Sequence, residues 1–220
     1  MKVAAIVPTR DEADTIGALV RTLYKFCDAV VVVDYCSTDH TVSVAYEAGA
    51  LIDAAEYAGI GYAYRFAWDR LPADWWVGHI DAGGSHDPQD LCDMLDLAAA
   101  RDYDVIIGSR FTFGGEDRAP WRRRVLSKTA AWVCNRNEME RVADWTSGLR
   151  VYSPRAREIL AAHDFQTSGH AWQIEALWVA RARGLNIVEF PITYRPSTSH
   201  LSSDSLGEAA GLLWRLSGVP

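Results

Sequence analysis

An acidic side chain follows directly on an apolar run in the stretch HIDAGGSHDP, residues 79–88. Asp81 ends the run, and the position two residues later, where a paired metal site would supply a second carboxylate, is Gly83. One carboxylate can hold Mg²⁺ or Mn²⁺ together with phosphate oxygens and water. It can equally stabilise a turn by bonding to its own backbone. The stretch is therefore either a metal site with one carboxylate or a polar turn, and Asp87 is predicted to cap the helix that begins at Pro88.

Polar turns of this kind recur through the first half of the chain. Continuous apolar runs such as KVAAIVP and DAVVVVD alternate with segments of helical periodicity such as DEADTIGALVRTLYKF and PQDLCDMLDLAAAR. The alternation predicts an α/β fold with a mostly parallel, doubly wound sheet flanked by helices in a single domain. Ligands bind at the carboxyl ends of such strands, so the turns to inspect are 8–12, 34–39, 81–87 and 108–110.

The second half of the chain is less regular. It contains a basic helical segment, WRRRVLSKTAAWVCN, a polar segment, DWTSGLRVYSP, a helical segment, HAWQIEALWVARARG, and a strand-like NIVEFPITY. The amphipathic EAAGLLWRLSG is predicted to be a terminal helix that packs on the core. His79 is expected in the core, and both His79 and His86 are expected to be satisfied by local hydrogen bonds.

Composition excludes several classes of protein. The 220 residues carry a net charge of −7 and the pI is near 5.3, which argues against a general nucleic-acid binder. The 4 cysteines show no CxxC pairing and are interpreted as reduced thiols. No stretch approaches the roughly 20 apolar residues that cross a bilayer. A cytoplasmic protein, at most peripheral to the membrane, is therefore expected.

Two common nucleotide-binding motifs are missing from the sequence. No GxGxxG follows the first predicted strand, and there is no GxxxxGK[ST]. What remains is a nucleotide site built from acids after strands. Such carboxylates can accept hydrogen bonds from a base or ribose, and one of them can hold a divalent cation against a diphosphate.

The ordered set of motifs resembles a known family. IVPTRDEADTI, VVVDYCSTDHT, HIDAGGSHDP, VIIGSRF, WRRRVLSK, ADWTSGLRVYS, GHAWQIEALWVARARGLNIVEFPITY and SHL follow one another as in dolichol-phosphate mannose synthase-like glycosyltransferases. These are family 2 enzymes with the GT-A fold. The resemblance runs from about residue 3 to residue 201, and single pieces such as GSR are weak while the ordered set is specific. It implies a nucleotide-sugar-binding half over 1–112 and an acceptor-binding half over 113–220.

The resemblance also implies roles for individual residues. The donor nucleotide, a GDP- or UDP-sugar, would lie against one group of positions, in which Ser37 and Asp39 shape the loop. A second group would supply positive charge near the sugar and phosphates. A mobile loop would carry His200 where relatives usually carry Lys. The first group is Pro8, Thr9, Glu12, Asp34, Ser37 and Asp39, and the second is Arg110, Arg123 or Arg124, and Lys128.

Asp81 matches the first acid of the family's metal motif, so the resemblance favours a metal or diphosphate role for it over a turn. Two positions depart from the family. Tyr35 stands where a second acid of VDD would be, and Gly83 replaces the second acid of the metal motif. The cation, Mg²⁺ or Mn²⁺, would then rest on Asp81, the donor diphosphate and water, with Asp87 as a further candidate.

The implied reaction is inverting transfer of a hexose by in-line attack, in which charge on the departing diphosphate must be stabilised. A polyprenyl-phosphate acceptor at the membrane surface would need no general base, because its oxygen is already anionic. A hydroxyl acceptor would need one. Asp144 is the first candidate for that base, and Glu175, which falls with Gln173 on the family's FQIE segment, is the second.

Two other functions stay open at the level of sequence. One is glycosylation of hydroxymethylated pyrimidines in DNA, for which the WRRR segment is the obvious basic patch and the net charge is unfavourable. The other is a non-catalytic nucleotide-sugar-binding protein, suggested by Tyr35 and Gly83. Retention of Arg110, WRRR and DWTSG favours an enzyme.

Overall fold

A computed structural model describes residues 1–54, 59–136, 141–196 and 203–216. Its main sheet has seven strands in the order β3-β2-β1-β4-β7-β5-β8, and a small sheet pairs β6 with β9. The strands are β1 (Val3–Thr9), β2 (Ala29–Asp34), β3 (Leu51–Ala54), β4 (Trp76–His79), β5 (Val105–Ser109), β6 (Glu116–Asp117), β7 (Arg150–Tyr152), β8 (Ile187–Pro191) and β9 (Thr193–Tyr194).

Helices cover both faces of the sheet. They are α1 (Ala13–Leu23), α2 (Thr41–Glu47), α3 (Ile60–Trp68), α4 (Pro88–Ala100), α5 (Trp121–Cys134), α6 (Pro154–Ala161), α7 (Trp172–Ala182) and α8 (Ser203–Leu216). Alternate side chains of a strand point to opposite faces. Ile6 of β1 therefore packs in one core with α3, α5, α6 and α7, whereas Ala5 and Val7 pack in the other with α1, α2 and α4. The predicted doubly wound arrangement is confirmed.

The parallel pairing brings the predicted polar turns to one edge of the sheet. β1 pairs in parallel with β2 and with β4, and in this register Thr9 lies opposite Asp34 and Ile6 opposite His79. The turns after β1, β2 and β4 therefore leave the sheet side by side, and β5 runs in the same direction. This edge is where the fold concentrates its polar side chains.

The polar segment 144–154 contains a strand that the sequence pattern does not indicate. β7 lies antiparallel between β4 and β5, in the middle of the sheet. Its first residue, Arg150, is fully buried, and the guanidinium donates hydrogen bonds to the backbone carbonyls of Trp145, Ser147 and Gln173. A buried guanidinium whose three nitrogens all donate hydrogen bonds is compatible with a core strand.

Two smaller predictions are tested by the packing. His79 is fully buried, stacks on Tyr64 and accepts a hydrogen bond of 2.9 Å from the indole of Trp68, so its core position is confirmed. α8 packs on the core through Leu212, which is buried, as predicted for the terminal helix. Within the described residues, no helix combines the length and the hydropathy needed to span a bilayer.

Candidate active site

The loop after β2 is folded by one buried acid. Asp34 accepts hydrogen bonds from the backbone N–H and the hydroxyl of Ser37. The Ser37 hydroxyl in turn accepts a bond of 2.9 Å from the backbone N–H of Asp11, which adopts a left-handed conformation with φ of 53°. This ties the loop after β2 to the loop after β1. We call residues 8–12 and 34–39 together the donor edge.

A second acid of the donor edge connects two helix starts. One carboxylate oxygen of Asp39 accepts hydrogen bonds from Thr41, and the other accepts one of 3.2 Å from the backbone N–H of Ala13. The Thr41 hydroxyl accepts a 2.7 Å bond from the backbone N–H of Glu12. These bonds lower the pKa of Asp39 below its usual value. Asp39 therefore shapes the loop, as expected.

Glu12 is the carboxylate of this edge that keeps capacity for a ligand. Its only hydrogen bond among the described residues that involves the carboxylate comes from the Thr15 hydroxyl, at 3.1 Å. Partial burial raises its pKa, and the negative charges of Asp39 and Asp81 add to the shift. Pro8 and Thr9 end β1 beside it, and the buried Thr9 hydroxyl has no hydrogen-bond partner within the described residues. The sequence-predicted donor group thus lies together.

Asp81 stands at the same edge, beyond the end of β4. Its side chain is 33% exposed, and a Cβ on Gly148 would come within 3.3 Å of its carboxylate. Gly148 belongs to the DWTSG segment, so the end of that segment lies against the carboxylate of Asp81. The neighbouring Asp87 is otherwise engaged, because its carboxylate caps α4 by accepting a 3.0 Å bond from the backbone N–H of Gln89. The prediction that Asp87 is an N-cap is confirmed.

His86 contacts this acid and is the site residue that sequence reasoning missed. Its side chain is buried, and its Nδ1 lies 3.5 Å from Oδ2 of Asp81 without a hydrogen-bond partner in the described part of the chain. The expectation of a locally satisfied histidine is therefore wrong for His86. Its ring meets the Tyr194 ring edge-on. Burial lowers the pKa of His86 below its usual value, although Asp81 opposes the shift.

The guanidinium of Arg110 is held in place by the carboxylate of Asp144. Two nitrogens of the guanidinium donate to the carboxylate at 2.6 and 2.7 Å, and one of them also donates to the hydroxyl of Thr146. Burial alone would raise the pKa of Asp144, but hydrogen bonds and charge from Arg110 outweigh burial and lower that pKa. Asp144 is itself placed by Glu189 of β8, which accepts the backbone N–H groups of Ala143 and Asp144.

These contacts argue against a general-base role for Asp144. The carboxylate is fully buried and both of its oxygens already accept hydrogen bonds from Arg110 or Thr146. A base must reach the proton that it removes and must be basic enough to take it. Asp144 fits instead as the residue that orients Arg110, and the general-base role stays a prediction that these contacts do not support.

The carboxylate of Glu175 is also engaged in hydrogen bonds. One oxygen accepts the backbone N–H of Gln166 at 2.9 Å, and the other accepts the backbone N–H of Thr167 at 2.9 Å and its hydroxyl. The side chain is buried at the start of α7. The predicted role as a second base stays a prediction that none of these contacts supports.

The basic residues of α5 adjoin Arg110 through one aromatic ring. Phe111 lies 5.0 Å below the guanidinium of Arg110 and 5.5 Å from the ammonium of Lys128. Arg124 is one turn before Lys128 on the same side of the helix and, like Lys128, is exposed, whereas Arg123 is partly buried. The predicted cations thus lie near one another, and His200 is outside the described residues.

The exposed side of α5 is unusually apolar. Trp121 and Trp132 are each 68% exposed and Val125 is 53% exposed. With Lys128 they occupy positions four, three and four residues apart, which is one face of a helix. We call Trp121, Val125, Lys128 and Trp132 the α5 stripe. A shallow groove of about 250 Å³ lies along it, between Val125, Lys128, Thr129 and Trp132.

Comparison with known proteins shows which family the chain matches. The family described as glycosyl transferase family 2 matches residues 4–160. The chain is similar to polyprenol monophosphomannose synthase of Mycolicibacterium smegmatis, with 34% identity over 93% of this chain and 82% of that protein. It is also similar to undecaprenyl-phosphate mannosyltransferase of Micrococcus luteus, with 29% identity over 95% of this chain and 91% of that protein.

Among solved structures, the chain is similar to glucosyl-3-phosphoglycerate synthase from Mycobacterium tuberculosis in complex with Mn²⁺, UDP and phosphoglyceric acid. The TM-score is 0.79 at 21% identity, over 100% of this chain and 79% of that chain. At this identity the likeness speaks for the fold. Because the family match extends from the first strand through the acids of the sheet edge to α6, the chain belongs to glycosyl transferase family 2 and is a glycosyltransferase with the GT-A fold.

Proposed function

We propose that this enzyme transfers a hexose, with inversion, from a nucleotide-diphosphate sugar to a polyprenyl phosphate at a membrane surface. The observation that carries the proposal is the α5 stripe, where two tryptophans and a valine are largely exposed next to the cations of the same helix. Contiguous apolar surface rimmed by charge marks an interaction site. The acceptor would approach along this helix, within the half of the chain over 113–220.

The composition of α5 fits an anionic lipid surface. In a chain of net charge −7, this helix carries four cations, Arg122, Arg123, Arg124 and Lys128, and no acid. Tryptophan favours the boundary between headgroups and acyl chains, and basic residues add attraction to anionic lipids. DNA would use the cations and leave the tryptophans exposed, so the stripe favours lipid over DNA.

The hydrogen bonds that occupy the two candidate bases support a phosphate as the acceptor. Asp144 and Glu175 are buried and hydrogen-bonded, so neither is free to take a proton from a hydroxyl. A phosphate oxygen attacks as an anion and needs no base. The printed names of the two similar mannosyltransferases, a polyprenol monophosphomannose synthase and an undecaprenyl-phosphate mannosyltransferase, support the same class of acceptor.

On the donor side, Glu12 and the end of β1 would receive the base and ribose, and Asp34, Ser37 and Asp39 would hold the loop that shapes this surface. Asp81 would anchor the diphosphate through Mg²⁺ or Mn²⁺. The residues present fit such an ion, because the partly exposed carboxylate of Asp81 faces a buried nitrogen that has no hydrogen-bond partner among the described residues. The bound ion would supply positive charge that stabilises the leaving diphosphate. Arg124 and Lys128 would contribute charge from the acceptor side.

A transfer assay with three acceptors tests the proposal. The protein is incubated with radiolabelled GDP-mannose or UDP-glucose and Mn²⁺ or Mg²⁺, together with a polyprenyl phosphate, the corresponding polyprenol, or hydroxymethylated DNA. We expect label in the organic phase, released by mild acid, with the phosphate alone. Transfer to polyprenol would show that a hydroxyl is used, and transfer to DNA would replace the lipid acceptor. Either result would overturn the proposal.

A further inference from the structure

His86 and Asp81 form a pair of potential ligand atoms at the end of β4. Nδ1 of His86 and Oδ2 of Asp81 are 3.5 Å apart. This is too long for a hydrogen bond, and Nδ1 has no other partner among the described residues. A buried polar nitrogen without a partner costs free energy, so its retention beside a carboxylate calls for a function.

The orientation of His86 is fixed by its surroundings. Tyr194 of β9 packs edge-on against the imidazole, with ring centroids 5.4 Å apart. The backbone N–H of Arg195 donates a 2.9 Å bond to the carbonyl of Ser85, which anchors the turn to the strand that carries Tyr194. The imidazole is thereby held with Nδ1 towards Asp81 before any ligand arrives.

Two other residues of the turn do not offer a second carboxylate ligand. Gly83 has no side chain, and the carboxylate of Asp87 is engaged in capping α4. A cation held by protein through Asp81 alone would depend on the diphosphate for its remaining ligands. His86 is the neighbouring side chain with an unused lone pair or proton at the position facing Asp81.

We infer that Nδ1 of His86 is the second protein ligand of the divalent cation anchored by Asp81, replacing the carboxylate absent at Gly83. Two cis ligands at about 2.1 Å from an octahedral ion are about 3.0 Å apart, so an approach of about 0.5 Å completes the pair. Imidazole suits transition metals better than Mg²⁺, so the site should prefer Mn²⁺. The inference rests on the metal-assisted donor binding of the proposed function.

Pulsed EPR on the full chain tests the ligand directly. Mn²⁺ is bound in the presence of UDP and, separately, of GDP, and the protein carries ¹⁵N-labelled histidine so that nucleotide nitrogens do not interfere. We expect a hyperfine coupling from one directly bonded histidine nitrogen. It should persist in His170→Gln, which alters an exposed histidine, and disappear in His86→Leu. Affinity for Mn²⁺ should fall at least about tenfold in His86→Leu.

Restoring the missing acid provides the second test. Gly83 is not among the glycines with positive φ, so an aspartate can be placed there without left-handed strain. In the double variant Gly83→Asp/His86→Leu, we expect Mn²⁺ binding to return and the preference for Mn²⁺ over Mg²⁺ to decline. If His86 only packed against its neighbours, a carboxylate at position 83 would not take over its role in Mn²⁺ binding.

Bound Mn²⁺ without histidine coupling, unchanged affinity in His86→Leu, or failure to retain Mn²⁺ with either nucleotide would overturn the inference. If His86→Leu does not fold, the absence of a histidine coupling in the spectrum of the unaltered chain would still overturn the inference. Failure of transfer to polyprenyl phosphate would overturn the proposed function and leave the histidine coupling intact, so the two conclusions can fail separately.

Discussion

The guanidinium of Arg110 is fixed by the buried carboxylate of Asp144, with two nitrogens donating to it at 2.6 and 2.7 Å. Arg110 is only 10% exposed at its side chain, and Phe111 and Tyr194 lie against its guanidinium. This arginine is therefore a fixed charge inside the wall of the site. Arg124 and Lys128 of α5 are the more exposed cations near it.

Asp144→Asn removes the charge that holds Arg110 while preserving side-chain shape. We expect the free energy of unfolding to drop by about 3 kcal/mol, because the buried guanidinium loses its hydrogen-bonded carboxylate, and the carboxylate of Asp117, 3.9 Å away, does not replace those hydrogen bonds. Transfer should fall at least tenfold as Arg110 loses its orientation. Denaturant unfolding and initial rates measure the two effects. Glu116→Gln breaks an exposed ion pair with Arg118 and should change neither, whereas an unaltered stability in Asp144→Asn would contradict the assignment.

The same pair predicts an acid dependence of stability. The pKa of Asp144 is lower in the folded chain than the ordinary value of 3.8. Ionised Asp144 thus contributes stability that is present above the unfolded pKa and is lost as pH falls through the folded pKa. Asp144→Asn should lack this contribution. Unfolding curves of the two proteins should therefore converge below pH 4, and a constant difference down to pH 2 would count against the pair.

Asp81→Asn tests the anchor of the diphosphate. Its carboxylate is 33% exposed and outside the hydrophobic core, so the fold should persist while transfer falls at least about a hundredfold. The matched control is Asp87→Ala in the same turn. It should destabilise the protein by about 1 kcal/mol through loss of the α4 cap and leave turnover within a factor of two. Near-normal turnover in Asp81→Asn would remove it from the site.

The sequence predicts the parts of the fold that local patterns determine. β1 and β2 are continuous apolar runs, α1 has apolar residues at helical spacing, and α4 begins with the Asp87–Pro88 cap. Each signal lies within a few residues. The acids of the donor edge follow from the same reasoning, since parallel strands bring their carboxyl ends together.

The other features of the fold and of the site depend on contacts between residues that are far apart in the sequence. β7 has three residues and begins with a buried arginine, and the polar segment around it carries no strand pattern. Arg110 and Asp144 are 34 positions apart in the sequence. Because they pair, the carboxylate of Asp144 is already engaged in hydrogen bonds. His86 is enclosed by Tyr194 from β9. No spacing within HIDAGGSHDP reveals that enclosure, although a histidine in a turn that lacks its second acid is the signal to follow.

The α5 stripe makes membrane binding testable with two substitutions. Trp121→Ala/Trp132→Ala removes its two aromatic residues, and we expect the affinity for vesicles containing anionic phospholipid to fall about tenfold. Vesicle flotation measures this, and transfer to a short, water-soluble polyprenyl phosphate should be retained. Trp178→Ala changes another exposed tryptophan, on α7, and should bind vesicles normally. Equal loss in both proteins would contradict a role specific to α5.

Glu175→Gln distinguishes a structural carboxylate from a base. The amide can accept from only one of the two backbone N–H groups of Gln166 and Thr167, so we expect a loss of about 1–3 kcal/mol in unfolding free energy. Transfer at a temperature well below the transition should stay within a factor of two. A hundredfold loss of turnover with unchanged stability would instead identify Glu175 as a catalytic residue.

We expect the ionised Glu12 side chain to lower the stability of the folded protein and to strengthen donor binding. Partial burial and the neighbouring acids raise its pKa, so its contribution to stability is fully present below the unfolded pKa, near 4.5, and is lost as pH rises through the folded pKa. At pH 7 the ionised side chain therefore opposes folding, and Glu12→Gln should have the higher melting temperature. Donor affinity should decline in the native enzyme as pH falls through the same folded pKa, because protonation removes the charged acceptor. In Glu12→Gln the affinity should be weaker, and its pH profile should lack the change that the titration of Glu12 causes. Isothermal titration with UDP and GDP between pH 4.5 and 8 measures this difference, and parallel pH profiles of the two proteins would show that Glu12 does not bind the donor.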